Sequence, residues 1–152
     1  MTPSQVRASV VSERAAWVRS MLRSIQDLPI NSYDQFASDQ RNPAAAESFL
    51  RRGIEALLDL GRHLLTKGFG CAVTEYKDIG HKLAEMGIIP DDRVENLRKI
   101  AGYRNRMVHF YHEITQEELY NICTSNLTDI EEILEILIKW IQDNPDRIDQ
   151  EI

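Results

Sequence analysis

Residues 103–111 read YRNRMVHFY and gather side chains suited to chemistry: Arg104, Asn105, Arg106, His109 and Tyr111, with His112 one step beyond. A guanidinium has no neutral form to adopt when buried, so an arginine on an apolar stripe must meet an anion, carbonyls or a water-filled cleft. Histidine titrates near neutrality and can take a proton from a ribose 2′-hydroxyl or give one to the leaving 5′-oxygen of a phosphodiester. Arginine holds two oxygens of the crowded phosphorus in a fixed fork and so favours the transition state over the ground state. This chemistry needs no metal, and its substrate is RNA, because only RNA carries the attacking hydroxyl. The candidate catalytic pair is therefore Arg104 and His109, with Asn105, Arg106 and His112 in support.

Spacing alone does not single this pair out. Arg106 and His112 form a second, overlapping pair. An arginine snorkelling off a stripe, beside a histidine capping helix carbonyls, would give the same letters. On an ideal helix His109 lies about 140° round from Arg104 and shares its face with Asn105 and His112. Both groups address one phosphate only if the helix loosens near its end or a second copy brings in its own motif. The His-x2-His spacing of His109 and His112, with Glu113 beside them, suggests a metal, but no further ligand has a convincing spacing, so neither metal nor cofactor is expected. KGFG at 67–70 is a helix stop without the Lys-Ser/Thr ending of a phosphate loop. Nothing resembles a Ser-His-Asp or Cys-His nucleophile arrangement.

The elements that must position these residues read as helices throughout, with no strand. Val11, Ala15, Val18, Leu22 and Ile25 alternate at four and three spacing along residues 4–28, and Pro29 ends the run. Asn42 reads as an N-cap with Pro43 at the first helical position, and Leu50, Ile54, Leu57, Gly61 and Leu64 carry the next stripe. Gly53 and Gly61 would let a neighbouring helix approach closely. A short helix from about Glu75 to Met86 stops at Gly87, and Asp91 or Asp92 caps the helix that runs through Val94, Leu97 and Ala101 into the motif. The last helix starts at Thr115, where TQEE reads as a capping box with a carboxylate reaching back to the cap. Its apolar face, Cys123 to Ile141 widened by Ile133, Ile136 and Trp140, is broad enough for a bundle centre or a subunit interface. Trp17 and Trp140 are expected on core stripes, and residues 31–41 form the longest loop. The fold expected is an all-α up-and-down bundle of about five helices, with residues 1–41 packing on a domain at 42–144 and a tail at 145–152.

Composition sets the surroundings. The 152 residues are 43% hydrophobic and 28% charged, the balance of one ordinary globular domain. No window approaches a membrane span, arginines at 7, 14, 19 and 23 interrupt any signal-peptide core, and Cys71 and Cys123 form no framework, so a reduced cytoplasmic protein is expected. Net charge is −6, but residues 1–112 are net +3 and residues 113–152 are net −9. The approach to the motif, with Arg93, Arg98 and Lys99, is locally basic and suits RNA despite the acidic whole.

From about Asn42 to Ile141 the chain resembles the HEPN superfamily, and within it the HepT-like toxins of type VII HEPN/MNT toxin–antitoxin pairs. The resemblance rests on GIEALLDLGRHLL at 53–65, on LAEMGIIPDD leading into the motif helix, and above all on IAGYRNRMVHFYHEI at 100–114, which matches the family pattern Arg-x4-His-x-Tyr. It implies a metal-independent endoribonuclease acting as a homodimer, with Arg104 and His109 facing a shared groove. It also implies a partner, an MNT-type nucleotidyltransferase antitoxin that transfers AMP onto Tyr111 and so blocks the site. The rival is a non-catalytic HEPN dimer that holds a nucleotide or a partner protein, since Arg104 would grip a phosphate in both.

Overall fold

The computed structural model describes residues 5–109 and 114–149. Four long helices carry the architecture: α1 (Ala8–Gln26), α3 (Arg41–Phe69), α5 (Val94–His109) and α7 (Leu127–Asp143). Three short ones join them: α2 (Tyr33–Ala37), α4 (Ile79–Glu85) and α6 (Gln116–Asn121). The result is an all-α bundle built around α3, which packs against α1, α4, α5, α6 and α7.

The stripes read from the sequence are the core. Ala15, Val18, Leu22 and Ile25 of α1, Leu50, Ile54, Leu57 and Leu64 of α3, and Ile130, Ile133, Leu134 and Leu137 of α7 are all buried in one cluster. Close approach at the two glycines is real. A Cβ on Gly53 would stand 3.2 Å from Met21 Cβ of α1, and one on Gly61 would stand 3.1 Å from Ile79 Cγ2 of α4. α3 stops at Gly70, whose φ of 65° suits glycine, and the turn after α4 uses Gly87 at φ 74°.

Several local expectations fail, each for a physical reason. Trp17 is 44% exposed, because position 17 falls between the stripe residues Ala15 and Val18 and points off the buried face. Trp140 does pack, tilted against Phe69 at 5.8 Å between ring centres. Residues 31–41 are not simply a loop: Ser32 Oγ accepts the Gln35 N–H at 3.1 Å and starts α2. Asn42 is not a cap but lies inside α3, where its amide donates to the carbonyls of Gln35 and Phe36 and ties α2 down. At the start of α5, Asp91–Arg93 form a 3₁₀ turn after Pro90, so the α-helix itself begins at Val94, beyond both aspartates. A strand pair also exists. Val6–Arg7 (β1) pairs in parallel with Ile148–Asp149 (β2), and the Arg7 N–H donates to His63 Nε2 at 3.0 Å. Nearby, Arg147 donates to the Gly68 carbonyl at 2.8 Å and stands over the Phe69 ring.

At the far side of the motif helix, Thr115 Oγ1 accepts the Glu118 N–H at 3.1 Å, so Thr115 is the cap. The reciprocal half of the capping box is missing. Glu118 spends both carboxylate oxygens on Arg106, at 2.7 and 2.8 Å. Between α6 and α7 the helix widens into a π turn at Ile122–Asn126, where Asn126 Nδ2 donates to Tyr103 Oη at 3.4 Å. Cys71 and Cys123 are free thiols, and burial pushes Cys123 up to about 12, which leaves it inert. No helix among the described residues is long and apolar enough to cross a membrane.

Candidate functional site

Glu55, Asp59 and Arg62 lie at four and three spacing on α3, a polar stripe on an otherwise buried helix. That stripe faces the 3₁₀ turn Tyr76–Asp78 and the last turns of α5. The Tyr76 hydroxyl donates to Asp59 Oδ1 at 2.8 Å, which fixes the ring. Over this one ring stand two guanidiniums, Arg62 at 4.7 Å and Arg104 at 4.8 Å from its centre. A cation over an aromatic face is attracted by the ring quadrupole, so Tyr76 holds both arginines in place. Burial, and then the hydrogen bond to Asp59, push the Tyr76 phenol up to about 12, so it remains a donor at neutral pH.

Neither guanidinium is neutralised at close range by a carboxylate of its own. Arg104 Nε is 3.6 Å from Glu55 Oε1, while Glu55 already accepts from Arg51 at 3.0 Å. Arg62 Nη1 is 3.8 Å from Asp59 Oδ1, the oxygen that takes the Tyr76 hydroxyl. Arg62 Nη2 donates to the Thr74 carbonyl at 3.2 Å, and Arg104 Nη1 donates to Asn105 Oδ1 at 3.3 Å. Among the described residues, the Nε atoms of Arg62 and Arg104 are buried donors without an acceptor. Partly buried arginines with distant or shared counterions leave positive potential for a ligand to use.

These groups line a groove of about 500 Å³ between α3, the Thr74–Lys77 segment and α5, within the size range of ligand sites. Arg62, Tyr76, Lys77, Arg104, Asn105 and His109 all border it. Arg104 and His109 thus meet one cavity within a single chain. The helix does not loosen to allow it: α5 is regular through His109. The groove instead spans the seam between two helix faces, with Asn105 and His109 on one side and the long Arg104 side chain, 20% exposed, reaching across from the other.

Arg106 does not join that groove. About 200° round the helix from Arg104, it lies in a second hollow with Lys99, Tyr103 and Glu118, tied to Glu118 by two short bonds. Tyr111 and His112 fall within 110–113, outside the described residues. Among the described residues no cluster of three or more His, Cys, Asp or Glu side chains is placed to hold a metal ion. Sequence reading missed Arg62, Tyr76 and Lys77. The signal available for Arg62 was the polar Glu55-Asp59-Arg62 spacing inside an apolar helix.

In chemical terms the groove offers two forked cations, an ammonium, an imidazole and an amide, against the single carboxylate of Glu75, an arrangement that can hold phosphate groups. The fold itself is that of HEPN toxins. A tri-AMPylated Shewanella oneidensis HEPN toxin, solved in complex with MNT antitoxin, superposes with a TM-score of 0.77 over 86% of this chain and 97% of that one, at 22% identity. The family described as ribonuclease HepT-like matches residues 18–137, and this chain belongs to that family. The match begins inside α1, so the likeness reaches further towards the N-terminus than residue 42. Two curated proteins are also similar. The mRNA nuclease HepT of Shewanella oneidensis is 23% identical over 128 residues, 84% of this chain and 96% of that protein. A protein of Archaeoglobus fulgidus, provisionally named an RNase, is 31% identical over 93 residues, 61% of this chain and 64% of that protein, short of two thirds of its length.

Proposed function

We propose that this protein is the toxin of a HEPN/MNT toxin–antitoxin pair, an endoribonuclease that cuts RNA without a metal. The observation that carries the reading is the shared groove: Arg104 and His109, the two outer positions of Arg-x4-His, border one cationic cavity. In this reading Arg104 grips the scissile phosphate and neutralises the charge that builds on its oxygens. His109 takes the proton from the 2′-hydroxyl or returns one to the 5′-oxygen, and Asn105 orients the Arg104 fork through its 3.3 Å bond. Residues 42–144 carry this unit, with residues 1–41 bracing it.

Two partners complete the proposal. A second copy supplies a facing motif, so the working form is a homodimer. Sedimentation at micromolar concentration should show it, and a monomer would remove this part. An MNT-type nucleotidyltransferase antitoxin transfers AMP onto Tyr111, placing an anionic adduct where it competes with RNA for Arg104. The names of the similar proteins, an mRNA nuclease and an AMPylated toxin with its antitoxin, support this reading. The test is incubation of the antitoxin-free, unmodified protein with RNA in EDTA, beside His109→Ala. Cleavage by the wild type that drops about 10²–10⁴-fold in the variant is expected. Intact RNA that is nonetheless bound would favour the non-catalytic dimer.

A further inference from the structure

The groove contains more positive charge than one phosphate requires. Besides Arg104 it is bordered by Arg62 from α3 and Lys77 from the turn that follows, three cations against one lining carboxylate, Glu75. Arg62 and Arg104 stand at 4.7 and 4.8 Å from a single ring centre, so their guanidinium carbons are within about 9.5 Å of each other. Like charges that close repel unless an anion lies between or beside them. The carboxylates behind them do not fill that role at close range, since Glu55 and Asp59 each have a nearer partner in Arg51 and Tyr76. Lys77 pairs with Glu75 at 3.3 Å on the surface, an exposed contact that a phosphate can displace at little cost.

We propose that Arg62 and Lys77 form a second phosphate subsite in this groove, which holds the phosphodiester next to the one gripped by Arg104 on a single-stranded RNA. The strand is held by at least two successive phosphates, and cleavage occurs at the one beside His109. Tyr76 is the spacer between the subsites: its ring is engaged by both guanidiniums, so it sets their separation. This inference rests on the ribonuclease reading for the identity of the strand, and on the geometry of Arg62, Tyr76 and Lys77 for the subsite.

The test is salt-dependent binding of an uncleavable probe, a short 2′-O-methyl oligoribonucleotide, to the full-length protein. Each phosphate neutralised on a single strand contributes about 0.7 to the slope of log K against log salt. Arg62→Gln and Lys77→Gln should each lower that slope, by up to about 0.7, while Lys139→Gln, on α7 and outside the groove, should not. Lys77 is exposed, so its variant reports on binding even if Arg62→Gln disturbs the fold. Wild-type slopes in both groove variants would overturn the subsite. Equal binding of the same sequence as a duplex, with equal dependence on Arg62, would overturn the single-strand assignment. A protein that cuts no RNA yet keeps Arg62-dependent slopes loses the nuclease and keeps the subsite. One that cuts RNA with slopes indifferent to both substitutions does the reverse.

Discussion

Arg104 and Arg106 leave the same helix two residues apart and meet their carboxylates in different ways. Arg106 takes both oxygens of Glu118 at 2.7 and 2.8 Å, a parallel fork that joins α5 to α6. Arg104 stands 3.6 Å from one oxygen of Glu55, an oxygen that also accepts from Arg51. Both arginines border a cavity, so the presence of a hollow does not separate them. Their counterions do. A guanidinium matched by a complete fork has little field left to offer, whereas one with a distant, shared counterion keeps part of its charge for whatever enters the groove.

The sharpest way to break this comparison is to truncate each arginine and measure RNA cleavage. Arg104→Ala should lower kcat/KM by about 10²–10³-fold, the usual cost of losing one transition-state donor. Arg106→Ala should lose no more than about tenfold, by loosening the end of α5. Equal losses would mean that the fork to Glu118 opens in the working enzyme and that both arginines reach the substrate.

A smaller effect is expected one layer back. Tyr76→Ala removes the ring that holds Arg62 and Arg104, and at about 1 kcal/mol per cation–π contact cleavage should fall roughly tenfold. Tyr76→Phe keeps the ring and loses only the bond to Asp59, so cleavage should stay within about threefold. If the phenylalanine variant is as poor as the alanine variant, the hydroxyl matters rather than the face.

On the Arg106 side the readout is stability. The hydrogen bonds from Arg106 hold the Glu118 carboxyl below its ordinary range. Because its folded pKa is depressed, the pair's contribution is complete above the ordinary carboxylate pKa and is lost as pH falls through the folded value. Glu118→Gln should therefore cost about 1 kcal/mol or less at pH 7, given that both side chains are about one third exposed. It should also flatten the acid limb of thermal melts below about pH 4.5.

The smallest change concerns His63, whose pKa is lowered by burial and by the nearby charges of Lys67, Arg7 and Arg14. Its neutral Nε2 is the acceptor for Arg7 N–H. With a depressed folded pKa, the stability it supports is full above about pH 6.5 and declines as pH drops through the folded value. His63→Gln, which retains an acceptor, should remove a slight loss of Tm between pH 7 and 5.

The long helices and their buried faces were legible because a four-three apolar rhythm held over several turns places every apolar side chain on one face of a helix and on neither face of a strand. Gly53 and Gly61 even located the contacts with α1 and α4. What escaped depends on partners far away in sequence. Asn42 and Glu118 both carry cap letters, yet α2 and Arg106 outcompeted the local bonds for their side chains. The motif alone suggested Arg104 and His109 but also a geometric conflict between them. Their common groove exists because Arg62 and the segment 74–77, 27 to 42 residues before Arg104 in the chain, provide its other wall. The short β1–β2 pair has no pattern of its own: two residues on each side are too few to show alternation.

That pair joins Val6 to Ile148 side by side. Fluorophores attached at Gln5 and Asp146, which meet at 3.4 Å beside this pair, would sit close together, so energy transfer between them becomes a direct gauge of whether the clasp is fastened. Loss of the His63 acceptor in acid would register there as a fall in transfer while the rest of the bundle stays folded.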